Sequence, residues 1–113
     1  MHEMSLAESV LEIAEEEARR QGATTIGAIV LEVGALAVVE VESLRFCFEA
    51  VCRGTMAENA RLDIVAVPAR GWCLDCRREV ELGGRFGPCL ECGGEQVQVT
   101  AGDVLRVREM EVL

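Results

Sequence analysis

A single histidine, a single tryptophan, no tyrosine and two prolines stand among the 113 residues of this chain. With one imidazole, and no serine–histidine or phosphate-loop motif, it lacks the groups from which acid–base or nucleophilic catalysis is built, and it reads as a non-enzyme. Positive charge is scarce as well: 11 basic residues face 20 acidic ones, for a formal charge of -9. Phosphate contacts need a basic surface and the arginines form no long run, so nucleic acid is excluded as a partner. No apolar run reaches the length of a membrane span and no targeting segment stands out, so no membrane role is expected. Apolar residues are plentiful, at 50%. That is enough for a core, in one domain or one domain plus a small metal-stapled module.

Six cysteines are present, and four of them form two C-x-x-C pairs, Cys73/Cys76 and Cys89/Cys92, with twelve residues between the pairs. This spacing is a strong zinc signature. Zn²⁺ takes four thiolates tetrahedrally, each pair supplying two from one tight turn, and a site closed by four protein ligands leaves no position for a substrate. Gly93 and Gly94 let the backbone turn close to sulfur, where N–H groups can reach the thiolates. The alternative uses of the quartet are disulfides or a thiol redox pair at Cys73 and Cys76. Cys47 and Cys52 lie outside it, five residues apart on a predicted helix, and should not bridge. Unpaired cysteines beside a thiolate metal site point to a reducing, cytoplasmic setting.

The lone histidine is His2, next to the chain start. A bulky second residue blocks removal of the initiator methionine, which leaves a free amine one residue before the imidazole. The amine of Met1, the deprotonated amide nitrogen of His2 and its imidazole can close two fused chelate rings on one metal. Three nitrogens in a plane suit Ni²⁺ or Cu²⁺. Amine and imidazole must both lose protons, so binding weakens in mild acid. The competing reading is a terminal histidine with no role.

The remaining pattern is α+β: two helices packed on a small mixed three-stranded sheet, with an inserted zinc-ribbon-like module of β-hairpins. Ser5 and Glu8 fit a capping box. Ala7, Val10, Leu11, Ala14 and Ala18 then recur at helical spacing, widened by Leu6 and Ile13, and Gly22 ends the helix. Residues 24–34 are β-branched and apolar, a strand buried on at least one face. Leu44, Cys47, Phe48 and Val51 mark a second helix over 41–53, with Phe46 and Cys52 off its stripe. Residues 60–67 alternate as a strand ended by Pro68. Between the cysteine pairs a hairpin is expected with its turn at Gly83-Gly84, and 95–100 make another short strand. A last strand, 104–113, switches parity near Glu109, as at a bulge. Two domains follow: 1–69 with 101–113, and an inserted metal-binding domain at 70–100.

Taken together, Met1-His2-Glu3-Met4-Ser5, the run from Glu42 to Glu49 (ESLRFCFE), the two C-x-x-C pairs and the run from Gly102 to Arg106 (GDVLR) resemble the HypA/HybF family over essentially the full length. The resemblance implies a nickel metallochaperone for hydrogenase maturation, working with a HypB-type GTPase and delivering Ni²⁺ to the [NiFe]-hydrogenase large subunit, with urease served by some relatives. It implies nickel at His2, the Met1 amine and Glu3, and structural zinc on Cys73, Cys76, Cys89 and Cys92, in a monomer or weak homodimer. Two departures are visible. Val41 stands where members often have proline, and the histidines that some carry near the zinc module are missing. A fourth nickel ligand must then come from Glu3, water or a partner. The rival is a zinc-ribbon protein-interaction module without nickel.

Overall fold

The computed structural model describes residues 2–84 and 87–113. Contacts divide the chain into two compact units, one made of Met1–Leu31, Val39–Val65 and Arg106–Leu113, the other of Glu32–Val38 and Ala66–Leu105.

The first unit is built on helix α1 (Glu3–Arg20), whose buried residues are Glu3, Ala7, Val10, Leu11, Ala14 and Ala18. The five apolar members are those that the 3.6-residue period picks out. Ile13, expected to widen this face, is exposed. Gly22 takes a left-handed φ of 71°. Ala23 N–H bonds Ala18 O at 2.9 Å and Gly22 N–H bonds Arg19 O at 3.0 Å, the paired bonds of a Schellman C-terminus.

At the other end the structure corrects the expected capping box. The helix opens three residues earlier, with His2 as N-cap at φ -130°, ψ 7° and no side-chain cap bond. Leu6 N–H bonds His2 O at 2.9 Å. Ser5 is therefore an exposed residue inside the first turn.

Helix α2 (Val41–Cys52) buries Leu44, Phe48 and Cys52, an i, i+4, i+8 stripe. Cys52 rather than Cys47 is thus the core cysteine, and Cys47 is only half-buried. Burial, and next the Glu15 carboxylate, push the Cys52 thiol up to about 11. The α2 N-cap is Glu40, whose side chain accepts the Glu42 N–H. Arg45 Nη1 donates to Leu62 O at 2.8 Å, tying α2 to the next strand.

Strands β1 (Ile26–Gly34), β2 (Arg61–Val67) and β6 (Leu105–Val112) form a sheet in the order β2-β1-β6. Ala35 N–H bonds Val67 O at 2.9 Å beside the C-terminal ends of β1 and β2. These two strands therefore run parallel, as the α2 crossover between them requires. Gly34 N–H bonds Val104 O at 2.9 Å and Leu113 N–H bonds Thr25 O at 2.9 Å, so β6 is antiparallel to β1. Along β6 the alternation of burial breaks at Arg108 and Glu109, where the sequence parity switches.

The second unit carries an antiparallel sheet of β3 (Arg70–Cys73), β4 (Arg78–Glu81) and β5 (Val97–Ala101), ordered β4-β3-β5. β4 pairs with β3 through the first cysteine turn, with Cys73 opposite Arg78 and Gly71 opposite Val80. Residues 70–73 are the central strand; Arg85 and Phe86, in the other arm of the hairpin expected at Gly83-Gly84, lie outside the described residues. No described helix is long and apolar enough to cross a membrane.

Candidate metal centres

The four cysteines of the C-x-x-C pairs meet in the second unit, each offering one sulfur, with all four Sγ atoms within 4.8 Å of one another. The two turns that bring them together are built alike. In the first, Arg77 N–H bonds Cys73 O at 2.8 Å and Arg77 takes a left-handed φ of 58°. In the second, Gly93 N–H bonds Cys89 O at 2.8 Å and Gly93 takes φ 76°. Only glycine adopts that conformation without cost, so the first turn carries local strain at Arg77. Gly94 lets the turns close on each other: a Cβ there would stand 2.1 Å from Asp75 Oδ2.

Backbone amides point at the sulfurs. Cys76 N–H reaches Cys73 Sγ at 3.4 Å, Glu91 N–H reaches Cys89 Sγ at 3.4 Å and Gly94 N–H reaches Cys92 Sγ at 3.3 Å. The amides of Cys92 and Glu91 hold the Cys89 thiol down to about 7. Cys76 is pushed up to about 12, chiefly through its contact with Cys92. Such crowding favours a doubly charged ion that removes the protons.

The separations test the fit. Cys73 Sγ lies 3.7 Å from Cys92 Sγ, and Cys76 Sγ 3.8 Å from Cys89 Sγ. A tetrahedron with metal–sulfur bonds of about 2.3 Å has edges of about 3.8 Å, whereas a disulfide needs about 2.05 Å. The cluster therefore has the dimensions of a four-thiolate metal site and not of paired disulfides. Cys73 and Cys89 are buried, Cys76 is half-buried and Cys92 is exposed. Val80 completes the small core beneath, with Leu82 and Val97 packed against it.

The other expected site lies at the start of α1, in the first unit. Met1 lies outside the described residues. His2 is exposed. As N-cap its own amide precedes the first intrahelical bond, so the helix makes no use of it. Glu3, by contrast, is only 7% exposed, the single buried charged residue among those described. Its Oε2 accepts the N–H of Glu40 at 3.3 Å. That bond first, and then its own amide, hold the Glu3 carboxyl below the usual carboxylate range. One carboxylate thus serves the open N-termini of two helices and fixes where His2 stands. Sequence reasoning placed Glu3 in the site but missed Glu40, because nothing in a single sequence signals contact between positions 37 apart.

Comparison with known proteins fits both features. The family model for hydrogenase/urease nickel incorporation, metallochaperone, HypA, matches residues 1–112. The hydrogenase maturation factor HypA of Azotobacter vinelandii is 54% identical over 112 residues, 99% of either chain. That of Rhizobium leguminosarum bv. viciae is 52% identical over 113 residues, 100% of either chain. Among solved structures, the solution structure of the Ni metallochaperone HypA from Helicobacter pylori matches with a TM-score of 0.76 at 27% identity, over 100% of this chain and 98% of that one. With its four-cysteine metal site and its helix opening at His2, this chain belongs to the HypA family of nickel-incorporation metallochaperones.

Proposed function

We propose that the chain binds Ni²⁺ at its N-terminus and, with a HypB-type GTPase, delivers it to the [NiFe]-hydrogenase large subunit, urease being a second candidate recipient. The observation that carries this reading is His2: the one imidazole of the chain, exposed, at the N-cap of α1. The imidazole, the His2 amide and the Met1 amine supply the planar nitrogens that suit nickel. Glu3 offers the oxygen it does not share with Glu40. An exposed site lets ligands exchange with an acceptor one at a time, and no bond of the cargo is made or broken, so the chain acts as a carrier and not as an enzyme.

Zn²⁺ is the ion proposed for Cys73, Cys76, Cys89 and Cys92. Four thiolates at tetrahedral spacing are its preferred structural set, and the ion would staple the module without taking part in transfer. On this reading the nickel-binding domain comprises 1–69 and 101–113, the zinc-binding domain is 70–100, and the thiolates require a reducing compartment such as the cytoplasm.

The test is equilibrium titration with Ni²⁺ of zinc-loaded protein carrying no residues ahead of Met1, wild type against His2→Ala. Affinity should fall by at least about a hundredfold, the upper end of what losing an outer-sphere partner costs, while zinc content stays unchanged. Equal nickel affinity in the two proteins would remove His2 from the site and leave a metal-stapled interaction module.

A further inference from the structure

The four cysteines of the quartet differ in what they show to solvent. Cys73 and Cys89 are closed off, at 0% and 2% exposure, in the small core with Val80, Leu82 and Val97. Cys76 is half-buried, and Cys92 alone is exposed. Little screens Cys92 on its C-terminal side: Gly93 and Gly94 follow without side chains, and a Cβ added at Gly93 would meet nothing within 4 Å. Yet Cys92 Sγ stands 3.7 Å from Cys73 Sγ, at the other end of the exposure range. An open sulfur in contact with a hidden one is the arrangement of an oxidant-accessible thiolate beside a resolving thiolate.

We propose that Cys92 is a modification site, where hydrogen peroxide attacks the loaded quartet, and that the product is a Cys73–Cys92 disulfide. The inference rests on the reading of the quartet as a zinc site. The Cys92 thiolate attacks one peroxide oxygen; an S–O bond forms, the O–O bond breaks and hydroxide leaves, giving a sulfenic acid. The Cys73 thiolate then attacks Cys92 Sγ, so that an S–S bond forms, the S–O bond breaks and a second hydroxide leaves. Peroxide is reduced by two electrons, which the two thiolates supply. Cys76 and Cys89 remain, and two thiolates do not close a tetrahedral site.

The direction of the bridge follows from how the two cysteine turns meet. A C-x-x-C motif in redox use closes on itself. Here the contacts run across the motifs, Cys73 to Cys92 at 3.7 Å and Cys76 to Cys89 at 3.8 Å. Arg78 Nη2 donates to Glu91 Oε1, joining β4 to the second turn. Gly94 approaches Asp75 of the first turn so closely that a Cβ has no room. Both contacts keep Cys73 beside Cys92 while the bridge forms, and the two sulfurs need close by only about 1.7 Å to reach bonding distance.

The test treats full-length, zinc-loaded protein with hydrogen peroxide. A chromogenic chelator follows zinc release, and peptide mass spectrometry locates the modified cysteines. Zinc content is measured before oxidant is added; protein that takes up no zinc would remove the zinc reading and this proposal with it. In loaded protein, dimedone should trap sulfenic acid at Cys92 before any other cysteine of the quartet. Without dimedone, the Cys73–Cys92 bridge should appear in step with zinc release, and dithiothreitol with added zinc should reverse both. Cys92→His offers an imidazole that zinc accepts in place of a thiolate, so it should keep zinc and lose the peroxide-driven release. The trapping measurement needs no variant and stays decisive should Cys92→His fail to load zinc. First trapping at another quartet cysteine, a first disulfide other than Cys73–Cys92, or release from zinc-loaded Cys92→His at the wild-type rate would each overturn the proposal and leave the zinc reading intact.

Discussion

Gly102→Ala is the substitution that tests most sharply how the metal-bearing unit is held together. Gly102 takes φ 85°, and a Cβ there would stand 2.5 Å from Pro68 O and 2.6 Å from Ala69 Cα. Both neighbours are backbone, which cannot swing aside as a flexible side chain can. An L-residue in the left-handed region costs about 1–2 kcal/mol, of which about 0.4–1 kcal/mol returns because alanine restricts the unfolded chain. Overlap with a packed surround adds about 1–3 kcal/mol, for a total loss centred on about 3 kcal/mol. Gly22→Ala isolates the first contribution: its φ is 71° and nothing lies within 4 Å of the added carbon, so it should cost only about 1 kcal/mol. Gly34→Ala isolates the second. Gly34 needs no positive φ, yet its Cβ would stand 2.3 Å from Gly102 C and O. Urea unfolding of zinc-loaded protein measures all three, with circular dichroism reporting α1 for Gly22 and the fluorescence of Trp72 on β3 for Gly34 and Gly102. A loss at Gly102 no larger than that at Gly22 would refute the close-packing argument.

Two further outcomes follow from the ionisable groups. Metal affinity of the four-cysteine site should fall steeply from about pH 8 to about pH 6, since protons compete for every thiolate and even Cys89 reprotonates below about 7; chelator competition reads this, and a pH-independent affinity would contradict it. Glu3, with its carboxyl lowered by the Glu40 amide, adds stability that is present above the ordinary carboxylate pKa. That stability is lost as pH falls through its own lower value. Glu3→Gln should keep the Glu40 amide resonance near its wild-type position whereas Glu3→Ala should shift it and fray the first turn of α1; identical spectra for the two variants would show that the bond does not form.

Much of this fold was legible because burial follows period. The α1 core from Ala7 to Ala18 comes directly from the 3.6-residue repeat, and the cysteine quartet from its spacing. The misreadings have local physical causes. Ser5 with Glu8 is a sound capping pattern, but the helix gains three more residues because Glu3 is held by Glu40, and a tertiary bond outweighs a local cap. On α2 the stripe was centred one position away: Cys47 and Cys52 are equally apolar in composition, and the fold chose Cys52, opposite Glu15 of α1. The pairing of β4 with β3 went unread because the turn that joins them is the metal-binding loop itself. Strand partners belong to contacts distant in sequence, which periodicity does not encode.

Keeping an ion and passing one on call for opposite surroundings, and on the proposed function the two metal sites of this chain would supply them. Around the quartet, three of the four sulfurs accept a backbone N–H and two are buried, so a bound ion leaves only if the turns open. At His2 the surroundings work the other way. The N-terminus of α1 concentrates partial positive charge, which disfavours a divalent cation but favours loss of the amide proton that planar nitrogen ligation needs. Glu3 lies next to it with its carboxyl already ionised, offsetting part of the repulsion. On the proposed function, the balance would be a nickel site of specific geometry with modest hold. On the function proposed above, moving the same three nitrogens to a disordered tail would tighten the grip by removing the dipole's opposition and would slow release to an acceptor.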